Sequence, residues 1–290
     1  MKTNDLMEKI TKQILEDMEK GNLFWETPWI KTGNFPKNAA TRKAYRGVNV
    51  IWLTSVASHQ GFSCNSWLTY QQAKTAGGNI KAGAKGVEVI FFKPLTVKEE
   101  KAEGDFEKKV IKYLKYFTVF NLDQTEGLDH LRPKSAEEKP FNKNEEAERI
   151  LTQSGAKIVE ENPDKAFYSP TLDYINLPPR NSFKTEEKFF STSYHELTHW
   201  SGHPKRLNRK QSLVFGSVDY AFEELVAEIG GAFLAGHVGY EYDTQHAAYV
   251  QNWIKVLKDD TRAIFRAASL AQSAADFILG VKFEKKEEAA

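Results

Sequence analysis

Residues 195–199 read His-Glu-Leu-Thr-His, and this short pattern constrains the fold more than any other feature of the chain. Two histidines four apart on a helix project from one face about one turn apart, so both imidazoles reach a common point. The flanks suit a helix: Phe189, Phe190, Leu197 and Trp200 supply a buried face, no Pro or Gly interrupts 186–201, and Gly202 and Pro204 end it. Such a pair holds Zn²⁺, with Glu196 beside it as the general base for water. The plainer reading is two histidines that only pack inside a helix. A single cysteine, Cys64, excludes an intrachain disulfide and a thiolate-rich metal cluster, so His and carboxylates must hold any ion.

A catalytic zinc takes three protein ligands and keeps a fourth position open, so a second element must supply the third. The segment 219–236 is its natural source. On that helix Phe222, Leu225, Ile229 and Phe233 form an apolar stripe, while Glu224, Ala227, Glu228, Gly231 and Ala235 form a neighbouring face of small residues broken by two acids. Small residues allow close approach to the His-bearing helix. Glu224 lies 25 residues beyond His199, a spacing similar to that of zincins whose third ligand is a Glu on a separate helix. Glu228, one turn on, is then the orienting partner of a ligand histidine, or the alternative ligand. Glu223 reads as a solvated surface charge.

Around this core the signals are weaker. His203 falls short of the third-histidine position of metzincins, which here is Lys205, and is assigned to the rim or an exposed loop. The basic run 203–210 suits either contact with substrate or phosphate, or a solvated loop. Residues 173–178 sit where zincins place an edge strand along the cleft; a packed core strand is the competing reading.

The whole chain of 290 residues carries a net charge of only +1, but the balance is a cancellation. Residues 1–135 hold 21 Lys+Arg against 15 Asp+Glu, and 136–290 hold 19 against 24. From Lys31 to Lys98 ten basic residues face one acid, Glu88, an electrostatic footprint inside a folded segment. Four of the six tryptophans (Trp25, Trp29, Trp52, Trp67) and several other aromatics, Phe91 and Phe92 among them, are interleaved with this block. Basic grooves with aromatic platforms hold single-stranded nucleic acid without reading its sequence. The candidates are Lys37, Arg42, Lys43, Tyr45 and Arg46 in one loop, Lys81 and Lys85 in a Gly-rich turn, and Trp67. The competing reading is that most of these aromatics build the core of a small domain.

The periodicities predict an α+β protein. An opening helix carrying Leu6, Ile10, Ile14, Leu15 and Met18 that stops at Gly21-Asn22, a helix over 48–61, and a short strand leading into a helix over 66–78 are expected, with strands over 86–97 and 109–122 forming a small antiparallel sheet. A polar linker at 135–149 separates this first domain (1–134) from a mostly helical second one (150–290), with short strands near 156–161 and 168–178 and helices over 186–201, 219–236 and 244–279. No apolar run approaches the roughly 20 residues of a membrane span, and the amino terminus lacks a signal-peptide core, so a cytoplasmic location is expected. The last helix is expected to pack within its own domain, favouring a monomer.

Taken together, Asn38, Thr41 and Tyr45 to Asn49, WLTYQQA at 67–73, TVFNLDQTEGL, the segment from Tyr194 to Arg209 and EELVAEIGGAFL resemble the ArdC family of plasmid-borne antirestriction proteins over nearly the whole chain. That resemblance implies an amino-terminal domain that binds single-stranded DNA, joined to a zincin-like metallopeptidase domain, and a role in shielding incoming plasmid DNA from host restriction. Carried over, His195 and His199 are metal ligands and Glu196 the general base; Glu224 matches the family's downstream Glu-rich helix. The ion is Zn²⁺, with Mn²⁺ or another divalent metal as alternatives. Two other readings stay open: a DNA-binding protein whose metal site is structural or vestigial, and a cytoplasmic regulatory zinc peptidase with no DNA role.

Overall fold

The computed structural model describes residues 3–23, 35–100, 106–133, 143–212, 214, 216–242 and 249–281. Trp25, Trp29, Lys31 and residues 135–142 of the linker lie outside these, as do the side chains of Phe92, Lys93 and Lys98. The architecture is α+β, as the periodicities predict.

Helix α1 (Thr3–Glu19) buries Leu6, Ile10, Ile14 and Met18 and gives way to Gly21 at φ 77°. After a short strand β1 (Lys37–Asn38) comes α2 (Val48–Gln60), closed by Gly61 in the left-handed conformation that glycine adopts without strain. Strand β2 (Ser66–Leu68) leads into α3 (Tyr70–Thr75), whose start is set by a reciprocal capping box between Thr69 and Gln72. Strands β3 (Asn79–Ile80) and β6 (Thr125–Glu126) pair with each other. The long hairpin β4 (Val87–Glu100) and β5 (Phe106–Asn121) pairs from Val87↔Val119 to Glu100↔Phe106 and completes a sheet of order β1-β2-β5-β4.

Helix α4 (Lys143–Ser154) precedes a three-stranded sheet of β7 (Lys157–Val159), β8 (Phe167–Ser169) and β9 (Tyr174–Asn176). Its order, β7-β9-β8, corrects one expectation: β9 is the central strand, and the edge beside the site is β8. Helices α5 (Glu186–Ser201) and α6 (Val218–Val238) follow, then α7 (Val250–Asp259) and α8 (Ala263–Ile278). The expected single helix over 244–279 breaks at Asp260, whose carbonyl accepts from Ala263 N (2.9 Å) and whose carboxylate accepts from Arg262 N (2.8 Å); residues 243–248 lie outside the described ones.

The two halves share one hydrophobic core, which runs from Ile10 and Ile51 to Leu234, Trp253 and Ile264. Polar contacts cross the same seam. Thr11 Oγ1 donates to Thr261 O (2.6 Å), Gly47 N donates to Gln272 Oε1 (3.0 Å), and Arg46 forms an ion pair with Asp276. Gly47 makes its contact at φ 57°, ψ −135°, a backbone state that a residue with a Cβ reaches only with strain.

Candidate metal centre

Helix α5 begins where Thr185 accepts a hydrogen bond from Lys188 N, and α6 begins where Ser217 accepts from Tyr220 N. The two cross closely because α6 presents glycine at the contact. A Cβ on Gly230 would lie 2.6 Å from Thr198 Cγ2, and one on Gly231 would lie 2.5 Å from the Tyr242 hydroxyl. Gly230, the glycine that meets α5, lies outside the small-residue face expected from sequence, and Gly231, which lies on that face, meets Tyr242 instead.

This crossing brings His195 Nε2 and His199 Nε2 to 3.1 Å from each other. The Glu224 carboxylate stands 3.5 Å from the first and 3.4 Å from the second. His195 and Glu224 are buried, the His199 side chain is 13% exposed, and the ligand atoms of the three lie within 4.8 Å of one another. On the far side of each ring a second carboxylate faces Nδ1: Glu228 at 3.4 Å from His195 and Glu223 at 3.3 Å from His199. Carboxylates at both Nδ1 atoms favour the tautomer with its proton there, leaving both Nε2 lone pairs aimed at the common point.

Glu223 therefore corrects the sequence reading: it is buried, not a solvated surface charge, and it is neutralised by buried Arg209. Arg209 donates to Glu223 Oε1 (2.8 Å) and Oε2 (3.2 Å), and its remaining donors reach Thr198 O (2.6 Å) and Ser201 Oγ (2.8 Å). Gln211 Nε2 adds a bond to His199 O (2.6 Å). Sequence reasoning missed Arg209, Gln211 and the role of Glu223; a buried arginine eight residues past the end of α5 leaves no local signature. Arg206 of the same basic run also turns inward, stacking 3.9 Å from the Trp200 ring centroid and pairing with Asp173. His203 does not line the cavity; its Nδ1 accepts from Lys205 N (3.1 Å).

The electrostatics of the point suit a cation. Four buried carboxylates (Glu196, Glu223, Glu224, Glu228) face one buried guanidinium, so with neutral imidazoles three negative charges are in surplus, an arrangement that a divalent ion offsets. Burial opposes a charged His199, but the Glu223 and Glu224 carboxylates outweigh it and raise its pKa to about 10. Burial likewise opposes ionisation of Glu224, yet hydrogen bonds from His195 and His199 hold its carboxyl well below the usual range. The donor set of two imidazoles and one carboxylate fits a zinc-type ion. The point opens into a cavity of about 230 Å³ lined by Glu196, by Phe167 and Tyr168 of β8, and by Tyr220 and Tyr249. Burial and the neighbouring Tyr249 and Glu224 raise the Tyr220 pKa, so its phenol stays protonated.

The proposed DNA residues separate. Lys37, Arg42, Lys43, Lys81 and Lys85 are exposed. Tyr45 is buried, and Arg46 is engaged by Asp276. Trp67 is corrected: it is fully buried, with its indole N–H donated to Asn65 (2.7 Å), so it offers no face to a base. The exposed aromatics on the hairpin are instead Phe91, Tyr116 and Phe117, with Phe91 and Phe117 edge-to-face at 5.4 Å.

Two imidazoles one helical turn apart, a carboxylate from a crossing helix and an edge strand over the cavity define a zincin-like metal-site protein. Residues 145–270 match the family model described as a zincin-like metallopeptidase, and residues 4–120 match that of the N-terminal domain of anti-restriction factor ArdC. Crystal structures of the antirestriction ArdC protein from plasmid R388 align over nearly the full length. The metal-free form has TM-score 0.77 at 38% identity, covering 95% of this chain and 97% of that one. The Mn(II)-bound form has 0.78 at 39%, covering 94% and 97%. The chain belongs to the ArdC antirestriction family. It is also 38% identical over 298 residues to a DNA primase TraC of Escherichia coli, covering 97% of this chain but only 27% of that primase, so it spans about a quarter of that relative. An uncharacterized protein, y4eC of Sinorhizobium fredii, is 31% identical over 94% of this chain and 91% of its own length.

Among the described residues no helix is long and apolar enough to cross a membrane.

Proposed function

We propose that the chain is a cytoplasmic antirestriction protein that binds single-stranded DNA through its basic half and carries a hydrolase-type site for one divalent cation. The observation that carries this reading is the convergence of His195, His199 and Glu224, with a carboxylate behind each imidazole. The Mn(II)-bound relative supports a divalent ion, and the donor set suits zinc equally. Likeness to a segment of DNA primases, together with exposed Lys37, Arg42, Lys43 and the Phe91–Phe117 pair, supports the DNA partner.

When bound, the ion supplies Lewis-acid activation of water and of an acyl oxygen. The remaining roles fall to the protein. His195, His199 and Glu224 hold the ion, and Glu223 and Glu228 fix the ring orientations. Glu196, lining the cavity, takes the proton from the attacking water and returns it to the leaving amine. Tyr220, a protonated phenol in the same cavity, donates a hydrogen bond to the developing oxyanion. The small cavity favours a second reading, in which the ion braces the α5–α6 crossing and the DNA-binding half alone protects DNA: about 230 Å³ lies below the roughly 300–1,000 Å³ of ordinary ligand sites.

The test pairs metal analysis with single- and double-strand binding. The wild type is expected to retain one divalent ion per chain and to prefer single strands, with affinity falling steeply in salt. Loss of the ion in His195→Ala and loss of DNA binding in Arg42→Glu/Lys43→Glu are expected. Preference for duplex, or an ion retained in His195→Ala, sinks the reading. Glu196→Gln then separates the two versions: DNA protection that survives it assigns the ion to bracing.

A further inference from the structure

We propose that the cleft between the two halves is a pocket for one unpaired nucleobase, held between the hairpin aromatics and helix α8. The inference rests on the single-strand reading above and adds where, and against what, a base is held. The cleft measures about 560 Å³, within the range of small-ligand sites. Tyr45 and Phe91 line one side and Ser269, Ser273 and Asp276 of α8 the other.

Two observations point to a base as the occupant. The first is a continuous aromatic path. Phe117 and Phe91 are 47% and 43% exposed, their centroids are 5.4 Å apart, and Phe91 stands 6.5 Å from Tyr45 at the cleft wall. A strand whose bases stack on exposed Phe117 and Phe91 is thereby brought to the cleft that Phe91 lines. The second is the charge inside. Arg46 and Asp276, the oppositely charged pair in the cleft, neutralise each other. Beside that pair the lining offers the hydroxyls of Thr41, Ser269 and Ser273 and the amide of Asn38 next to Tyr45 and Phe91, which suits a neutral heteroaromatic ring. A phosphate of the same strand falls to Lys43, which also lines the cleft, and to exposed Arg42. A base inside a duplex reaches such a pocket only by leaving its stack, so the cleft also selects against double strands.

The test uses the full chain and a fluorescent oligothymidylate longer than the roughly 4–16 nucleotides that a single-strand site covers. Ser273 is exposed on α8, so Ser273→Trp fills the cleft without entering the core. Phe117→Ala removes the platform outside it. Each is expected to weaken binding by about tenfold, with unchanged metal content and melting temperature. Should Ser273→Trp fail to fold, Ser269→Phe and photocrosslinking of the wild type to an iodouracil oligonucleotide replace it, with crosslinks expected at Tyr45, Phe91 or α8. Binding that is weakened by Phe117→Ala and Arg42→Glu but untouched by the cleft-filling variants, with no crosslink at these positions, overturns the pocket and leaves the DNA reading standing. No single-strand binding by the wild type overturns both.

Discussion

The carboxylate of Glu223 stands 3.3 Å from His199 Nδ1, and Arg209 grips its opposite side through two donors. The ring that offers Nε2 to a metal is thereby oriented from a loop ten residues away in sequence. Glu223→Gln is expected to weaken metal binding by about 10–100-fold while leaving the protein folded, read by chelator competition. Unchanged affinity would show that His199 needs no such support.

Arg209→Met removes the only buried guanidinium among the described residues and leaves Glu223 buried against its remaining partners. Breaking a buried pair from one side costs about 3–5 kcal/mol. Thermal unfolding of the metal-free protein should show a clear loss, and the double variant Arg209→Met/Glu223→Leu should recover part of it. A single variant as stable as the wild type contradicts this account.

Two glutamates one turn apart are expected to behave differently. Glu224→Ala removes a ligand and should abolish tight metal binding, whereas Glu228→Gln removes only the partner of His195 Nδ1 and should weaken it by about 10–100-fold. Elemental analysis after dialysis reads both. The reverse order would exchange their roles.

Metal uptake should displace a proton. With the His199 pKa raised to about 10, the metal-free protein carries the imidazolium at neutral pH. A raised folded-state value contributes stability that is fully present below the unfolded value of about 6.5 and is lost as pH rises towards 10. The metal-free protein should therefore lose stability between these limits and the metal-loaded one should not. Calorimetry in buffers of different ionisation enthalpy should report about one proton released at pH 7–8; no release would place that proton elsewhere.

Trp67 and Phe117 provide a paired contrast. Trp67→Ala opens a cavity in the core and should cost about 3–5 kcal/mol of stability. Phe117→Ala should leave the melting temperature unchanged and weaken single-strand binding by about 1–3 kcal/mol. Equal melting temperatures for the two variants would contradict the burial of Trp67.

What could be read from the chain, and what could not, follows from the range of each interaction. The pairing of His195 with His199 is local: a spacing of four on an unbroken helical segment places both rings on one face whatever surrounds them. Gly61 closing α2 is local in the same sense. The uneven charge of the two halves was equally visible, being only a count along the chain.

Where Glu223, Glu224 and Glu228 lie relative to the two imidazoles was decided by packing. Helix α6 is buried almost all round, so amphipathicity gives it no phase, and three acids within six residues differ only in which neighbour each one meets. The α5–α6 crossing, set by Gly230 against Thr198, turns Glu224 towards the two Nε2 atoms and leaves the other two behind the rings. The same holds for Trp67 and Arg46. Composition marked both as nucleic-acid candidates, but the fold buries one in the core and sets the other against Asp276, 230 residues away. Spacing along the chain thus determined that a histidine pair shares one helix face, and only the tertiary contacts, which join residues that no local pattern relates, decided which carboxylates stand beside it and which aromatics stay exposed.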